Sequence, residues 1–367
     1  MSDSQTDARF MRRALQLAKR GQGHVEPNPL VGCVIAKDGQ PIAEGWHQAF
    51  GGPHAEIAAL QNLQGVAEGA TVYVSLEPCC HHGKTPPCTQ ALIDAKVGRV
   101  VVAMIDPFPQ VSGQGIQQLR AAGIQVDTGV LATEANALNA PFRTLVEQHR
   151  PWIIAKWAMT LDGKIATQTG GSKWISNEAC RAIVHQIRGR VDAVIIGSGT
   201  ALSDDPMLNA RPSGPRIATR IVVDSSARLP LNSQLVQTAR QQSVLVAVGP
   251  QADAANVQQL SEAGCEVLNF PQSERNERLT ALLTELGNRQ MTNVLLEGGS
   301  QLLGSFFDLQ LVDEAHVFIS NKIIGGERIT AVAGNGLENI SGAPAITRPA
   351  VELIGDNVYV HGSLRNQ

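Results

Sequence analysis

Hydrophobic positions along the chain switch between helical and strand spacing. Asp7 to Arg20 carries Phe10, Met11, Ala14, Leu15 and Ala18 at helical intervals, an amphipathic helix. Leu30 to Ala36 is a continuous apolar run, Pro41 to Gly45 returns, and Lys37-Asp38-Gly39-Gln40 between them has the Asp-Gly pair of a tight hairpin. His54 to Leu63 is helical, Thr71 to Leu76 alternates as a strand, Cys88 to Ala95 is a short helix and Arg99 to Met104 a buried strand. Gln114 to Ala122 is helical, Ile124 to Val126 extended, and Thr133 to Gln148 one further helix. His149-Arg150-Pro151 ends it, because the residue before proline avoids the helical region. Two domains are expected, 1–148 and 149–367.

The second stretch repeats the alternation. Strands are predicted at Trp152–Trp157, Ala193–Gly197, Arg220–Asp224, Ser243–Val248, Val294–Glu297 and Ala315–Ile319. Helices are predicted at Asn177–Arg188, Ala255–Ala263, Glu274–Leu286 and Ser300–Leu309, and Val351 to Leu364 reads as a closing hairpin around Gly355-Asp356-Asn357. Strands alternating with helices define an α/β chain with layered sheets. No internal repeat or low-complexity tract interrupts it.

Hydrophobic residues make up 43% of the 367, charged residues 17%, which is ordinary globular composition. The 30 basic and 33 acidic residues leave a net charge of −3, and aromatics are 4%, so no nucleic-acid surface is expected. No apolar run reaches the length of a membrane span, and the first helix is amphipathic rather than a leader with an apolar centre. A cytoplasmic protein acting on a small molecule is the expectation, with no nucleic acid and no membrane.

Six cysteines are too few, in so long a chain, for a disulfide framework. Cys33, Cys180 and Cys265 lie in apolar or helical patterns and are expected in the core. Cys79, Cys80 and Cys88 crowd together, which points to metal ligation. His54-Ala55-Glu56 opens a helix upstream, and Glu77-Pro78-Cys79 follows a strand. One histidine and two thiolates, His54, Cys79 and Cys88, suit zinc and leave the fourth tetrahedral position for water, which zinc acidifies. Cys80, His81 and His82 are alternative ligands in principle; a closed structural zinc site is the competing reading. Glu56 is placed to move a proton from water to a leaving amine. Residues two apart on a helix point about 200° apart, so His54 and Glu56 can converge only at the helix's first turn. Cys88 also begins a helix, whose positive end should stabilise its thiolate.

His-x-Glu with Pro-Cys is the signature of zinc nucleobase deaminases, but here the two cysteines are separated by eight residues and not two. With that insertion, PNPLVGCVI (27–35), HAE (54–56) and SLEPCCHHGKTPPC (75–88) resemble the deaminase half of the bifunctional riboflavin-biosynthesis family, a diaminohydroxyphosphoribosylaminopyrimidine deaminase joined to a 5-amino-6-(5-phosphoribosylamino)uracil reductase. The resemblance implies a cytidine-deaminase-like three-layer α/β/α domain and substrate contacts from Asn28, His47, Lys84 and Asp106.

In the second domain, Gly197-Ser198-Gly199 starts like a dinucleotide loop, but position 202 is Leu and Asp204-Asp205-Pro206 follows, so no Rossmann site is expected. At Val294 to Phe307 a strand runs through Gly298-Gly299 into a helix start that can attract phosphate. KWAMTLDGKIA (156–166), SKWIS (172–176) and GTALSDDPMLNAR (199–211) resemble the family's reductase half. That implies a dihydrofolate-reductase-like fold and NADPH, with cofactor contacts at Ala158, Trp174, Thr200, Asp204, Ser225 and Gly299, Ser300, Gln301, Leu302, Leu303, Gly304 and Ser305. Substrate contacts fall at Ser172, Arg188, Leu208, Arg211 and Glu297, and the two arginines suit a ribosyl phosphate. Lys156 is the candidate for polarising or protonating the sugar. The family implies zinc-dependent deamination of 2,5-diamino-6-ribosylamino-4(3H)-pyrimidinone 5′-phosphate, then reduction of its ribosyl group to ribityl, in a homo-oligomer, a dimer or tetramer. The alternative is a nucleic-acid or nucleoside deaminase with a non-catalytic second domain.

Overall fold

The structure, a computed structural model, describes residues 3–63, 66–80, 87–109, 111–326 and 330–364. Its chain contacts separate two units, Met1–His149 and Arg150–Asn366.

The first unit runs α1 (Asp3–Ala18), β1 (Gly32–Lys37), β2 (Gln40–Trp46), α2 (Ala55–Asn62), β3 (Thr71–Leu76), α3 (Cys88–Asp94), β4 (Arg99–Met104), α4 (Gln114–Ala121), β5 (Gln125–Thr128), α5 (Ala132–Leu138) and α6 (Ala140–Gln148). Its sheet has the order β2-β1-β3-β4-β5, with β1 antiparallel to β2 and β3, and β3, β4 and β5 parallel. The hairpin turn is as expected, Asp38 and Gly39 taking positive φ of 52° and 74°. Side chains alternate across the sheet. Val72, Val74, Val100 and Val102 pack with Ala55, Ala59, Leu92, Ile116 and Leu119 of α2, α3 and α4. Tyr73, Val101 and Ala103 pack with Phe10, Met11 and Ala14 of α1 and Ala135 of α5. The result is three layers, α/β/α.

The single helix expected over 133–148 is two, broken at Asn139. That residue is buried; its Oδ1 accepts from Leu30 N at 2.8 Å and its Nδ2 donates to Leu30 O at 3.0 Å. Its amide thus continues the backbone pairing of a distant segment.

The second unit runs β6 (Trp152–Met159), α7 (Glu178–Arg188), β7 (Ala193–Gly197), α8 (Ser198–Asp204), β8 (Thr219–Val223), α9 (Gln234–Gln237), β9 (Val244–Val248), α10 (Ala254–Glu262), β10 (Glu266–Asn269), α11 (Arg275–Asn288), β11 (Asn293–Glu297), α12 (Ser300–Asp308), β12 (Glu314–Ile319), β13 (Ala350–Ile354) and β14 (Asn357–Ser363). The sheet order is β10-β9-β8-β7-β11-β6-β12-β14-β13, parallel from β10 to β12, then antiparallel. Ala155, Ile195 and Leu296 face α11 and α12 through Leu282, Leu286, Leu303 and Phe306. On the other face Phe318 and Tyr359 pack against Cys180 and Val184 of α7. Three elements escape the sequence reading: β10, α9 and the short α8. As expected, Cys33, Cys180 and Cys265 are buried.

Candidate zinc and reductase sites

His54 is not in α2 but caps it, with extended backbone at φ −70° and ψ 162°. Glu56, one residue into the helix, is buried, and the two side chains converge at the first turn as the 200° argument requires. Cys79 follows β3 and Cys88 opens α3. His54 Nδ1 lies 3.2 Å from Cys88 Sγ and 3.4 Å from Cys79 Sγ, and the three ligand atoms fall within 4.8 Å of one another. A tetrahedral zinc with bonds of about 2.0 Å to nitrogen and about 2.3 Å to sulfur sets N and S about 3.6 Å apart, so the donor set fits the ion with a small expansion. His54 and Cys79 are half-buried, which keeps an approach open to the remaining position. Cys80 lies near by; His81, His82 and Lys84 lie outside the described residues.

One expectation reverses. The amide of Cys88 at the start of α3 donates to Cys79 Sγ at 3.3 Å, so the helix start stabilises the Cys79 thiolate and not that of Cys88. Without metal, the Cys88 thiol donates to Cys79, holding the latter at about 4 and raising Cys88 well above the usual thiol range. Burial, and then the nearby Cys79 charge, push Glu56 up to about 7, the range in which a carboxylate both accepts and returns a proton.

Around this centre, His47 Nδ1 faces the Pro53 carbonyl at 2.9 Å, which makes Nδ1 the protonated nitrogen. Its Nε2 is then an acceptor, met by Asn28 Nδ2 at 3.1 Å, leaving the Asn28 oxygen for other donors. Burial pushes the His47 pKa down, which keeps the ring neutral. Asp106 lies two residues past the end of β4, buried, with Oδ1 accepting from Phe108 N at 2.9 Å. Sequence reasoning missed Glu77. Its buried carboxylate accepts from the amides of Gly113 (2.9 Å), Ile116 (3.2 Å) and Asp106 (3.3 Å), tying the strand before Cys79 to the start of α4.

In the second unit, Lys156 on β6 is the register partner of Glu297 on β11. Both point away from Ala155 and Leu296, toward α7. Lys156 Nζ lies 3.6 Å from Glu297 Oε2. Arg188 of α7 donates to Glu297 through Nε at 2.5 Å and Nη2 at 2.9 Å, and through Nη1 to Asn209 O at 3.2 Å. Burial would raise the Glu297 carboxyl, but Arg188 and Lys156 outweigh it and hold the group at about 2. Three of the five Arg188 N–H donors are thus engaged by Glu297 and the Asn209 carbonyl. Arg211 is exposed, and Leu208 is buried with φ at 53°, a left-handed conformation non-glycine residues adopt rarely. Ser172 is half-buried; Trp174 is exposed, with the Arg181 guanidinium 4.5 Å from its ring centre.

Gly298 and Gly299 lead into α12 with φ of 70° and 79°, and Thr200 Oγ1 lies 3.1 Å from where a Cβ on Gly299 would stand. Asp204 ends α8, and Ser225 follows β8. The rest of the expected cofactor stretch is divided. Gly299, Ser300 and Gln301 form the start of α12, but Leu302 and Leu303 are core residues. Gly304 abuts the Ala333 carbonyl so closely that any Cβ at this position would strike it, and Ser305 Oγ donates to Gln301 O at 3.0 Å. The side chains of 302–305 are therefore turned inward. Ala158, half-buried, packs toward Cys180 and Phe318.

The sites define a class: a zinc deaminase unit followed by a reductase unit of dihydrofolate-reductase-like fold. The family model for the cytidine and deoxycytidylate deaminase zinc-binding region matches residues 4–104, and that for the RibD C-terminal domain matches 151–360. The chain is 43% identical to the riboflavin biosynthesis protein RibD of Actinobacillus pleuropneumoniae, over 97% of this chain and 94% of the relative. It is 36% identical to the crystal structure of a Thermotoga maritima diaminohydroxyphosphoribosylaminopyrimidine deaminase/5-amino-6-(5-phosphoribosylamino)uracil reductase, covering 98% of each chain at a TM-score of 0.84. Acinetobacter baumannii RibD, form 2, gives 34% identity, 98% and 99% coverage and the same TM-score of 0.84. The chain belongs to the RibD family of bifunctional riboflavin-biosynthesis enzymes. Among the described residues, no helix is long and apolar enough to cross a membrane.

Proposed function

We propose that residues 1–148 deaminate 2,5-diamino-6-ribosylamino-4(3H)-pyrimidinone 5′-phosphate at its 2-amino group, and that residues 149–367 reduce the ribosyl group with NADPH, giving 5-amino-6-ribitylamino-uracil 5′-phosphate. The observation that carries the reading is the convergence of His54, Cys79 and Cys88 around one point with buried Glu56 beside it. His54, Cys79 and Cys88 would hold zinc, which would supply an acidified water. Glu56 would take up a proton and return it to the departing amine. The Asn28 oxygen and the neutral His47 orient the pyrimidine, with Lys84 and Asp106 completing its contacts.

In the reductase unit bound NADPH would supply the hydride to C1′. The Glu297 carboxylate, fixed by Arg188, receives sugar hydroxyls and holds the Lys156 ammonium toward the ring oxygen, which gains a proton as the ring opens. Arg211 meets the 5′-phosphate, with Ser172 and Leu208 lining the same pocket. Ala158, Trp174, Thr200, Asp204 and Ser225 flank the cofactor, and the backbone at 299–305, not its inward side chains, meets the pyrophosphate. We also read the chain as cytoplasmic and homo-oligomeric; Val351 and Leu353, 62% and 79% exposed on the edge strand β13, are apolar surface consistent with a second copy.

The test is incubation of the purified protein with the diaminopyrimidinone ribosyl phosphate and NADPH, followed by mass spectrometry. Exchange of one amine for oxygen with gain of two hydrogens is the expected product. Exchange without added hydrogens overturns the reductase assignment, and unchanged substrate with zinc bound overturns the deaminase one.

A further inference from the structure

Eight residues separate Cys79 from Cys88, so the chain between them does not by itself fix one against the other. What fixes them is Cys79 standing in as the cap of α3. The residue before that helix is Pro87, which brings it no side-chain hydrogen bond. The first two amides of α3, those of Cys88 and Thr89, therefore need acceptors from elsewhere. Both find Cys79. Cys88 N donates to Cys79 Sγ at 3.3 Å, and Thr89 N donates to Cys79 O at 3.2 Å.

Thr89 adds a second hold. Its side chain is fully buried. Its Oγ1 lies 3.2 Å from Cys79 O and donates to Gln118 Oε1 of α4 at 2.7 Å. The hydroxyl thus stands between the carbonyl of one cluster cysteine and a side-chain amide on α4, one residue along from the other cysteine. The start of α4 meets the same segment twice more. The amides of Gly113 and Ile116 receive the Glu77 carboxylate, and Gly115 lies so near the Pro78 carbonyl that any Cβ there would strike it. Glu77, Pro78 and Cys79 are each held against α4, the last through Thr89 and Gln118.

We propose that Thr89, oriented by Gln118, is a positioning residue of the zinc centre: its hydroxyl fixes the Cys79 segment against the start of α3 and presets the spacing of the two thiols before metal arrives. The proposal deepens the deaminase reading above and rests on it. A buried hydroxyl joining a ligand's backbone to a third element limits how far that ligand can swing. Partners of this kind are worth about 10–100-fold in metal affinity.

Thr89→Val removes the hydroxyl at nearly constant volume, Thr89→Ser keeps it, and Gln118→Leu removes its partner from a half-buried position on α4. The full-length proteins are compared by zinc Kd, from competition with a chromogenic chelator, and by the sulfur-to-metal absorption of their Co2+-loaded forms. Thr89→Val and Gln118→Leu should each weaken zinc binding by at least about tenfold and shift that absorption. Thr89→Ser should stay within about twofold of the unmodified protein, and the double variant should be no weaker than Thr89→Val, since both changes act through one bond. Unchanged Kd and absorption in Thr89→Val and Gln118→Leu overturn the role even where melting falls, leaving only support of the fold. Thr89→Ser binding as weakly as Thr89→Val overturns it too, because the hydroxyl is then not the cause. Should Thr89→Val fail to fold, Gln118→Leu decides alone. An unmodified protein that binds no zinc overturns the metal reading itself and the positioning role with it.

Discussion

Arg188 grips Glu297 along one edge of its guanidinium, through Nε and Nη2 at 2.5 and 2.9 Å, while Lys156 waits 3.6 Å away on the neighbouring strand. The carboxylate is nearly enclosed, so its charge is tolerable only because both cations face it.

Replacing Arg188 by Gln should therefore leave a buried carboxylate faced by Lys156 alone. A loss of about 3–5 kcal/mol in the second unit is expected by urea unfolding. The pH dependence has a definite sign. Glu297 titrates at about 2 when folded, against an ordinary value of 4.5, so its contribution is full above about 4.5 and lost as pH falls toward 2. In Arg188→Gln that acid-side loss should flatten. Reduction should collapse while zinc content and deamination persist; equal loss of both activities would sink the assignment.

Metal removal should separate the two reactions. Chelation, or His54→Ala, should abolish deamination and leave NADPH oxidation on the deaminated intermediate intact. Glu56→Gln should keep zinc, measured by elemental analysis, and lower the deamination kcat by roughly 10²–10⁴. Loss of zinc in Glu56→Gln would instead make Glu56 a ligand.

Glu77→Gln probes a support, not the chemistry. Its carboxylate receives three amides, and the neutral amide weakens each while turning an NH₂ toward one of them. A stability loss of about 1–3 kcal/mol is expected, with weakened zinc retention through the adjoining Cys79. Unchanged melting and unchanged zinc affinity would show that the amides find other partners.

Arg99 ties α1 to the sheet through Asp7, at 2.9 and 2.8 Å, and also reaches Asp127 at 2.6 Å. Arg99→Met should cost about 3 kcal/mol, because buried Asp7 loses its cation. The Arg99 hydrogen bond holds the Asp7 pKa below the usual carboxylate value, so the bridge stabilises above that value and fades as pH falls past it. Unfolding curves taken across the acid range should therefore converge for the two proteins at low pH.

Local pattern carried most of the elements. Thr71–Leu76 and Arg99–Met104 are read to the residue because both are buried strands with consistent spacing. β10 (Glu266–Asn269) was not, since a four-residue edge strand whose Glu266 pairs with Arg289 has no apolar run to announce it. The break at Asn139 was invisible because its cause, Leu30, is far away in the chain. The cluster of His54, Cys79 and Cys88 was legible because its chemistry is bunched into short motifs. The reductase pocket draws on β6, α7, β11 and the loop at 208–211, and only the resemblance joined those segments. Even so, the pairing of Arg188 with Glu297 had to be seen in three dimensions.

Leu302 and Leu303 anchor α12 in the core directly behind Gly298 and Gly299, the proposed cofactor-facing turn. The amides at that helix start are thereby held in place before any nucleotide arrives, so binding need not spend free energy arranging them. The same coupling makes affinity hostage to packing. Trimming either leucine to alanine would loosen the helix and register as a defect in cofactor binding, though both side chains are buried in the core. A screen for weakened NADPH affinity in this enzyme will accordingly return core residues alongside surface ones.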